Sequence, residues 1–80
     1  MNLDFKVFDS NGKVIFSATT IEELSKFFND TIILSLNPKA LLAYLMTQYT
    51  RYVFEKVEYY YHQINVDNAS GKITIRYDQV

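Results

Sequence analysis

Cysteine is absent from the chain, and glycine and proline are scarce, with two Gly and one Pro in 80 residues. The missing cysteine excludes disulfide bonds and thiolate chemistry, and it fits a reducing compartment. Few helix breakers and an aromatic content of 16% are typical of a packed chain rather than a disordered one. A chain this short buries only about 60% of its unfolded surface, so self-association would help to stabilise it.

The chain also has no large excess of charge of one sign, since eight basic and nine acidic residues give a net charge of −1. Nucleic-acid-binding domains usually carry a basic patch, which this balance does not favour. The apolar run ALLAYLM has seven residues, whereas a membrane span needs about 20. The N-terminal stretch MNLDFKVFDS alternates and carries charge, unlike a signal peptide. We therefore expect a cytoplasmic protein with no membrane partner.

Two segments predict β-hairpins, and each is closed by a turn that contains glycine. In the first, an Asn-Gly dipeptide favours a two-residue turn that pairs Phe8 with Ile15. In the second, the loop 68–71 joins strands in which His62 pairs with Tyr77. Both registers collect apolar side chains on one face, which supports them.

Two helices are predicted between the hairpins. The first spans 21–29 and begins with a capping box, in which Thr20 is followed by Glu23. The second begins after Asn37, with proline at its first position. Its apolar residues recur at spacings of three and four, which predicts one helix over 38–58, about 31 Å long.

The order of these elements, ββααββ, predicts an α+β fold. The two hairpins form a four-stranded, mostly antiparallel sheet packed on one short and one long helix. Between the helices, TIILSL at 31–36 fits either a brief strand or an apolar connector. No linker interrupts the sequence, so we expect one domain over 1–80.

Three consecutive tyrosines, 59–61, lie where the helical period gives way to a strand period. In this interpretation Tyr59 ends the long helix, Tyr60 points to the core and Tyr61 faces outward. Consecutive residues do not share a face in either geometry. The run therefore indicates a junction between elements rather than a binding site.

Residues with catalytic or metal-binding chemistry are few. Glu58 and His62 are four apart and could supply two metal ligands, but metal sites need three or four and no second His or Cys exists. Ser10 and Ser70 fall in predicted turns without a nucleophile motif. The sequence also lacks calcium-loop spacing and a glycine-rich phosphate loop. We therefore expect a protein that is not an enzyme and binds neither metal nor cofactor.

The predicted long helix is apolar on the side turned away from the sheet, where a surface helix should be polar. Tyrosine and phenylalanine are enriched at protein interfaces. We therefore predict a protein-binding surface on this helix and its flank, formed by Tyr44, Arg51, Tyr52, Phe54 and Tyr59. The alternative is that the short helix and residues 31–36 cover this side within the monomer.

A second candidate surface is the outer face of the sheet. Four residues are predicted to form a patch there, namely Phe8, Ile15, Tyr61 and Arg76. Such a face could stack the bases of single-stranded nucleic acid. The nearly neutral charge supplies little counterion-release energy, so nucleic-acid binding is the alternative rather than the main prediction.

These observations predict a non-catalytic protein-binding module that forms a homodimer and binds one protein target. Small cysteine-free α+β proteins without catalytic residues are common among phage and mobile-element accessory proteins. Some of these act as inhibitors that occlude a host or defence protein, and we expect a function of this type.

Overall fold

A five-stranded mixed sheet is the centre of the protein, and the computed structural model describes residues 2–80. In chain order the elements are β1 (Leu3–Phe8), β2 (Val14–Ala18), α1 (Ile21–Phe28), a 3-10 helix (Thr31–Ser35), α2 (Pro38–Gln48), β3 (Arg51–Phe54), β4 (Val57–Val66) and β5 (Ile73–Gln79). The strand order is β2-β1-β5-β4-β3. Strands β1 and β5 are parallel, and the other neighbours are antiparallel. The predicted α+β class is confirmed, but the predicted sheet lacks one strand and the parallel pair.

The first hairpin follows its predicted register over most of its length. Near the turn the register shifts, and Phe8 pairs with Val14 instead of Ile15. The Asp9 carboxylate accepts two backbone N–H groups of the turn, which is therefore wider than the predicted two residues. Ile15 is the extra residue of a β-bulge, so the predicted pair of Phe8 with Ile15 is wrong.

The hairpin of β4 and β5 also changes register once. Ile64 pairs with Ile75 as predicted, but beyond that point Tyr61, not His62, pairs with Tyr77. His62 lies at the irregularity, which adds one residue to β4. A one-residue shift exchanges the two faces of a strand, so Tyr61 turns to the inner face.

Helix α1 begins where the sequence predicts and ends at Phe28, one residue earlier than predicted. The Thr20 hydroxyl accepts the backbone N–H of Glu23 at 3.2 Å, which confirms the capping interaction. After Phe28 the chain leaves the helix through Asn29, whose φ of 52° is left-handed. This conformation is a common helix end, and asparagine tolerates it well.

Of the two alternatives for residues 31–36, the strand is wrong, because the segment connects the two α-helices as a helical turn. Thr31–Ser35 is a 3-10 helix whose first turn is capped by the Asp30 carboxylate. Ile33 is fully buried, while Ile32 and Leu34 are exposed. The segment therefore anchors one side chain in the core and leaves two apolar side chains outside.

Helix α2 is half as long as predicted, because it ends at Gln48 rather than at 58. The chain then forms β3, turns at Glu55 and Lys56, and returns as β4. Both turn residues have positive φ, 51° and 68°. These angles are those of a two-residue hairpin turn, which usually contains asparagine or glycine.

The apolar pattern of this segment is compatible with both structures. Residues spaced by three and four fit a helix, but Tyr52, Val57, Tyr59 and Tyr61 also alternate on one side of a hairpin. The β-propensity of the aromatic and β-branched residues after Gln48 favours the hairpin.

The tyrosine run therefore lies within a strand. Tyr59 is buried, with 5% of its surface exposed, whereas Tyr60 is 37% exposed on the outer face. Tyr61 is half-buried and packs against the core. The predicted orientations of Tyr60 and Tyr61 are both wrong, for the same reason: strand β4 extends through them, and its bulge follows at His62.

The sheet curls so that its two edge strands converge on helix α1. The ring of Phe27 on α1 lies 4.5 Å from that of Phe16 on β2, and 5.5 Å from that of Phe54 on β3. In a flat sheet the edges would be about 19 Å apart, at about 4.8 Å per strand. Phe27 therefore lies between the two edges.

Candidate protein-binding groove

An apolar groove opens where the edge strands converge. It has a volume of about 440 Å³, and a second hollow of about 390 Å³ adjoins it across the same three phenylalanines. We call these hollows the aromatic groove and define it by the residues they share, Phe16, Phe27 and Phe54. Glu23 and Lys26 of α1 line one side of it.

The walls of the aromatic groove are held by ring contacts. Phe16 and Phe27 are stacked, and Phe54 is stacked on Tyr52 at 6.4 Å. The Tyr52 hydroxyl donates a hydrogen bond of 2.8 Å to the Phe27 carbonyl. This bond ties edge strand β3 to α1 and fixes the width of the groove. Burial raises the pKa of Tyr52, so the hydroxyl keeps its proton at neutral pH.

Three of the predicted interface residues lie around this groove. Phe54 is 39% exposed, Tyr52 supports it, and Tyr59 lines the groove from β4. They do not form a helical surface, because the predicted helix over 49–58 does not exist. Tyr59 is almost fully buried and contributes a wall rather than an exposed contact.

The other two predicted interface residues lie elsewhere. Tyr44 is half-buried on α2 and donates a hydrogen bond of 2.5 Å to the Asp30 carboxylate. Arg51 is exposed on β3, where its Nε lies 3.1 Å from a Glu58 oxygen. The predicted set of five is therefore divided among a groove, a half-buried hydrogen-bond network and the outer sheet face.

The predicted patch on the outer face is only partly assembled. The Arg76 guanidinium lies 4.1 Å above the ring of Phe8, a cation–π contact between neighbouring strands. Tyr61 faces the core because of the bulge at His62. Ile15 lines the aromatic groove instead of pairing with Phe8.

Opposite charges are paired across the outer face. The ion pairs are Lys6–Asp4, Lys72–Asp4, Arg51–Glu58 and Arg76–Asp78. In addition, the Nδ1 atom of His62 lies 3.1 Å from an Asp78 oxygen. Each pair is exposed and contributes little to stability. Together they neutralise the basic groups that a nucleic-acid backbone would contact.

A network centred on Asp30 closes the helical side. The hydroxyls of Tyr44 and Tyr49 both donate to one Asp30 oxygen, at 2.5 and 2.8 Å. These hydrogen bonds, that of Tyr44 first, lower the pKa of Asp30. They also raise the pKa of both tyrosines, with burial contributing most at Tyr49. A charged acceptor and two neutral donors form a structural clamp between α2 and the 3-10 helix.

A buried hydroxyl continues this clamp into the core. Tyr77 lies on the central strand β5, is fully buried, and donates to the Tyr49 carbonyl at 2.5 Å. That carbonyl belongs to the residue that caps α2. Burial raises the pKa of Tyr77 and keeps it neutral. The bond fixes the point at which the helix gives way to β3.

The sequence did not identify Phe16, Phe27 or Asp30 as site residues. Both phenylalanines fall on the apolar faces of their elements, a pattern that predicts core positions. Their partial exposure depends on the convergence of β2 and β3, which are separated by three other strands in the sheet. Asp30 follows a helix end, where aspartate is common. A local pattern carries no signal for either arrangement.

Comparison with protein families, curated proteins and solved structures finds no match to this chain. Within residues 2–80, no helix has both the length and the apolar character needed to cross a membrane. The same residues contain no cluster of three or more His, Cys, Asp or Glu placed to hold a metal ion.

Proposed function

We propose that the protein is a non-catalytic protein-binding module. It binds an apolar segment of a partner protein in the aromatic groove and occludes that segment from other contacts. The observation that supports this most is the groove itself, where three phenylalanines from three elements line an open apolar surface. An accessory or inhibitor protein of phage type would act in this way.

The composition of the groove favours protein over other ligands. Its residues are aromatic and rigidly held, and such residues dominate the binding energy of protein interfaces. Glu23, Glu55 and Lys26 line the groove, so charges of both signs are present there. This arrangement suits a peptide better than a strongly charged small molecule.

Single-stranded nucleic acid remains the alternative ligand, but it has less support. Its surface would be the outer sheet face, where Tyr60 is exposed and Phe8 is covered by Arg76. The basic groups of that face are already engaged by Asp4, Glu58 and Asp78. A phosphate backbone would have to displace these carboxylates.

The experiment that tests the proposal compares two matched substitutions. Phe54→Ala removes a groove ring that is 39% exposed, and Tyr60→Ala removes an outer-face ring that is 37% exposed. The wild type and both variants are tagged and used as baits in nuclease-treated lysate of the native host. Circular dichroism confirms that each variant is folded.

We expect one stoichiometric protein with the wild type and Tyr60→Ala, and its loss with Phe54→Ala. Retention of that protein by Phe54→Ala would show that the groove is not the binding site. A partner that requires nucleic acid and is lost with Tyr60→Ala would instead support the outer face and the alternative function.

A further inference from the structure

The edge strand β3 presents backbone groups that no other strand pairs with. It lies at one end of the sheet, and β2 lies at the other. The two edges differ, because β2 carries the irregularity near Phe8 whereas β3 pairs with β4 without a break. Bulges discourage edge-to-edge pairing. Among the strands of residues 2–80, only β3 therefore offers a regular free edge.

The turn at Glu55 and Lys56 determines which groups of β3 are free. In a two-residue hairpin the closing pair, here Phe54 with Val57, exchanges hydrogen bonds. Alternate residues then point their N–H and C=O groups away from the partner strand. The unpaired groups of β3 are therefore those of Arg51 and Val53. The bond from the Tyr61 N–H to the Thr50 carbonyl, 3.1 Å, agrees with this alternation.

We infer that this edge pairs with the same edge of a second copy of the chain. The two β3 strands lie antiparallel about a two-fold axis at Val53, which joins the two sheets into one. The free N–H and C=O groups of the two Val53 residues then bond to each other. Arg51 of one copy then lies opposite the turn residue Glu55 of the other, which directly follows the strand.

Charge and shape support the second copy as the partner. Basic Arg51 begins the edge and acidic Glu55 follows its end, so only antiparallel pairing brings opposite charges together twice. Each Arg51 then lies between Glu58 of its own chain and Glu55 of the other. On the inner face, Tyr52 of one copy meets Phe54 of the other. At the axis, the 57% exposed Val53 is covered by its counterpart.

Other registers are less favourable. The faces of the joined sheets match only when the register moves by two residues. A shift in one direction places Arg51 opposite Val53 and leaves Glu55 without a charged partner, and a shift in the other places Val53 opposite Glu55 and leaves Arg51 without one. Either shift also removes Val53 from the axis. The sequence of β3 therefore specifies one pairing.

The contact is short, which sets its strength. Five residues from each copy bury less than the roughly 1,200 Å² typical of stable complexes, so we expect a dimer in the micromolar range or weaker. This inference goes beyond the proposed function and is independent of it. Dimerisation is read from molecular mass, and target binding is read from partner capture.

The experiment measures mass by analytical ultracentrifugation over a concentration series up to about 1 mM, above the expected dissociation constant. Val53→Lys places two ammonium groups opposite each other at the axis and should raise the dimer Kd at least about tenfold. Val14→Lys is the matched control, since Val14 is exposed on the other edge strand. It should leave the Kd unchanged.

Charge reversal provides the second arm. Glu55→Arg places two arginines opposite each other at each end of the contact and should weaken the dimer about tenfold. Adding Arg51→Glu restores opposite charges and should recover the wild-type Kd to within about threefold. This rescue does not depend on whether Val53→Lys folds.

Two results would overturn the inference. One is a wild-type protein that stays monomeric at the highest concentration. The other is a dimer that is lost with Val14→Lys but insensitive to Val53→Lys and Glu55→Arg, because the interface would then lie on β2. Failure of the groove experiment with a normal dimer would contradict the proposed function alone.

Discussion

The orientation of the tyrosine run can be measured by removing two neighbouring rings. Tyr59→Ala deletes a ring that lies in the core, and Tyr60→Ala deletes one on the outer face. Both substitutions replace tyrosine with alanine in the same strand, so the loss of β-propensity is shared. The difference between them isolates the burial of the ring.

The expected magnitudes follow from burial. Tyr59 is 5% exposed, and truncating a buried aromatic side chain to alanine costs about 3–5 kcal/mol. Tyr60 is 37% exposed and lies on a face that no helix covers, so its removal should cost about 1 kcal/mol. Urea denaturation followed by circular dichroism gives both free energies of unfolding. We expect Tyr59→Ala to be the more destabilised by about 2–4 kcal/mol.

The control is Tyr59→Phe, which keeps the ring. Among the described residues, no hydrogen bond is formed by the Tyr59 hydroxyl and no buried side-chain polar atom lacks a partner. Removal of the Tyr59 hydroxyl should therefore lower the free energy of unfolding by less than about 0.5 kcal/mol. If Tyr60→Ala is the more destabilised of the two alanine variants, the orientation of Tyr59 and Tyr60 described above is wrong. That result would place Tyr60 in the core, as in a helix that continues through Gln48.

Three further predictions concern the turn, the clamp and the core. Replacing Glu55 with Asn and Lys56 with Gly relieves two positive-φ residues and should stabilise the fold by about 1 kcal/mol in urea unfolding; destabilisation would favour a helix there. Because folding lowers the pKa of Asp30, its carboxylate stabilises the folded state. This contribution to the free energy of unfolding is complete above the unfolded pKa of 3.8 and is lost as the pH falls through the lower pKa of the folded state. Asp30→Asn should therefore flatten the fall in melting temperature between pH 5 and 2, roughly the range of carboxylate titration, and an unchanged slope would contradict the clamp. Tyr77→Phe leaves the Tyr49 carbonyl without its donor and should cost about 1–3 kcal/mol; a neutral effect in urea unfolding would show that the bond is dispensable.

Elements with strong local signals were predicted from the sequence. The capping box at Thr20, the Asn37 cap followed by proline and the glycine-containing turns each depend on a few neighbouring residues. Their chemistry satisfies backbone groups within one turn, so no tertiary contact is needed to recognise them. These signals were sufficient for the α+β class.

The long helix was predicted wrongly because its end has no such signal. The turn at Glu55 and Lys56 uses residues that rarely adopt positive φ. Without asparagine or glycine there, the helical spacing of the apolar residues continued without a break. Packing of Tyr52 against α1 and pairing of Tyr59 with β5 outweigh the unfavourable positive φ angles at Glu55 and Lys56.

The groove was missed because it depends on contacts between distant parts of the chain. Phe16, Phe27 and Phe54 come together only when the last strand enters the sheet beside β1 and the edges curl over α1. Neither insertion of β5 nor the curl has a local pattern. The two bulges, at Ile15 and His62, have none either.

Strand β3 takes part in both proposed surfaces, and its residues contribute to them unequally. Tyr52 and Phe54 turn their rings to the groove, while Val53 turns its side chain to the outer face and its backbone to the free edge. In the proposed dimer Tyr52 and Phe54 also meet across the new strand pair, so a four-residue strand shared by the two surfaces tolerates few changes. If both proposals hold, Phe54→Ala weakens target capture and dimerisation together, whereas Val53→Lys impairs dimerisation alone. Adjacent residues of one strand would then differ in the functions that they affect.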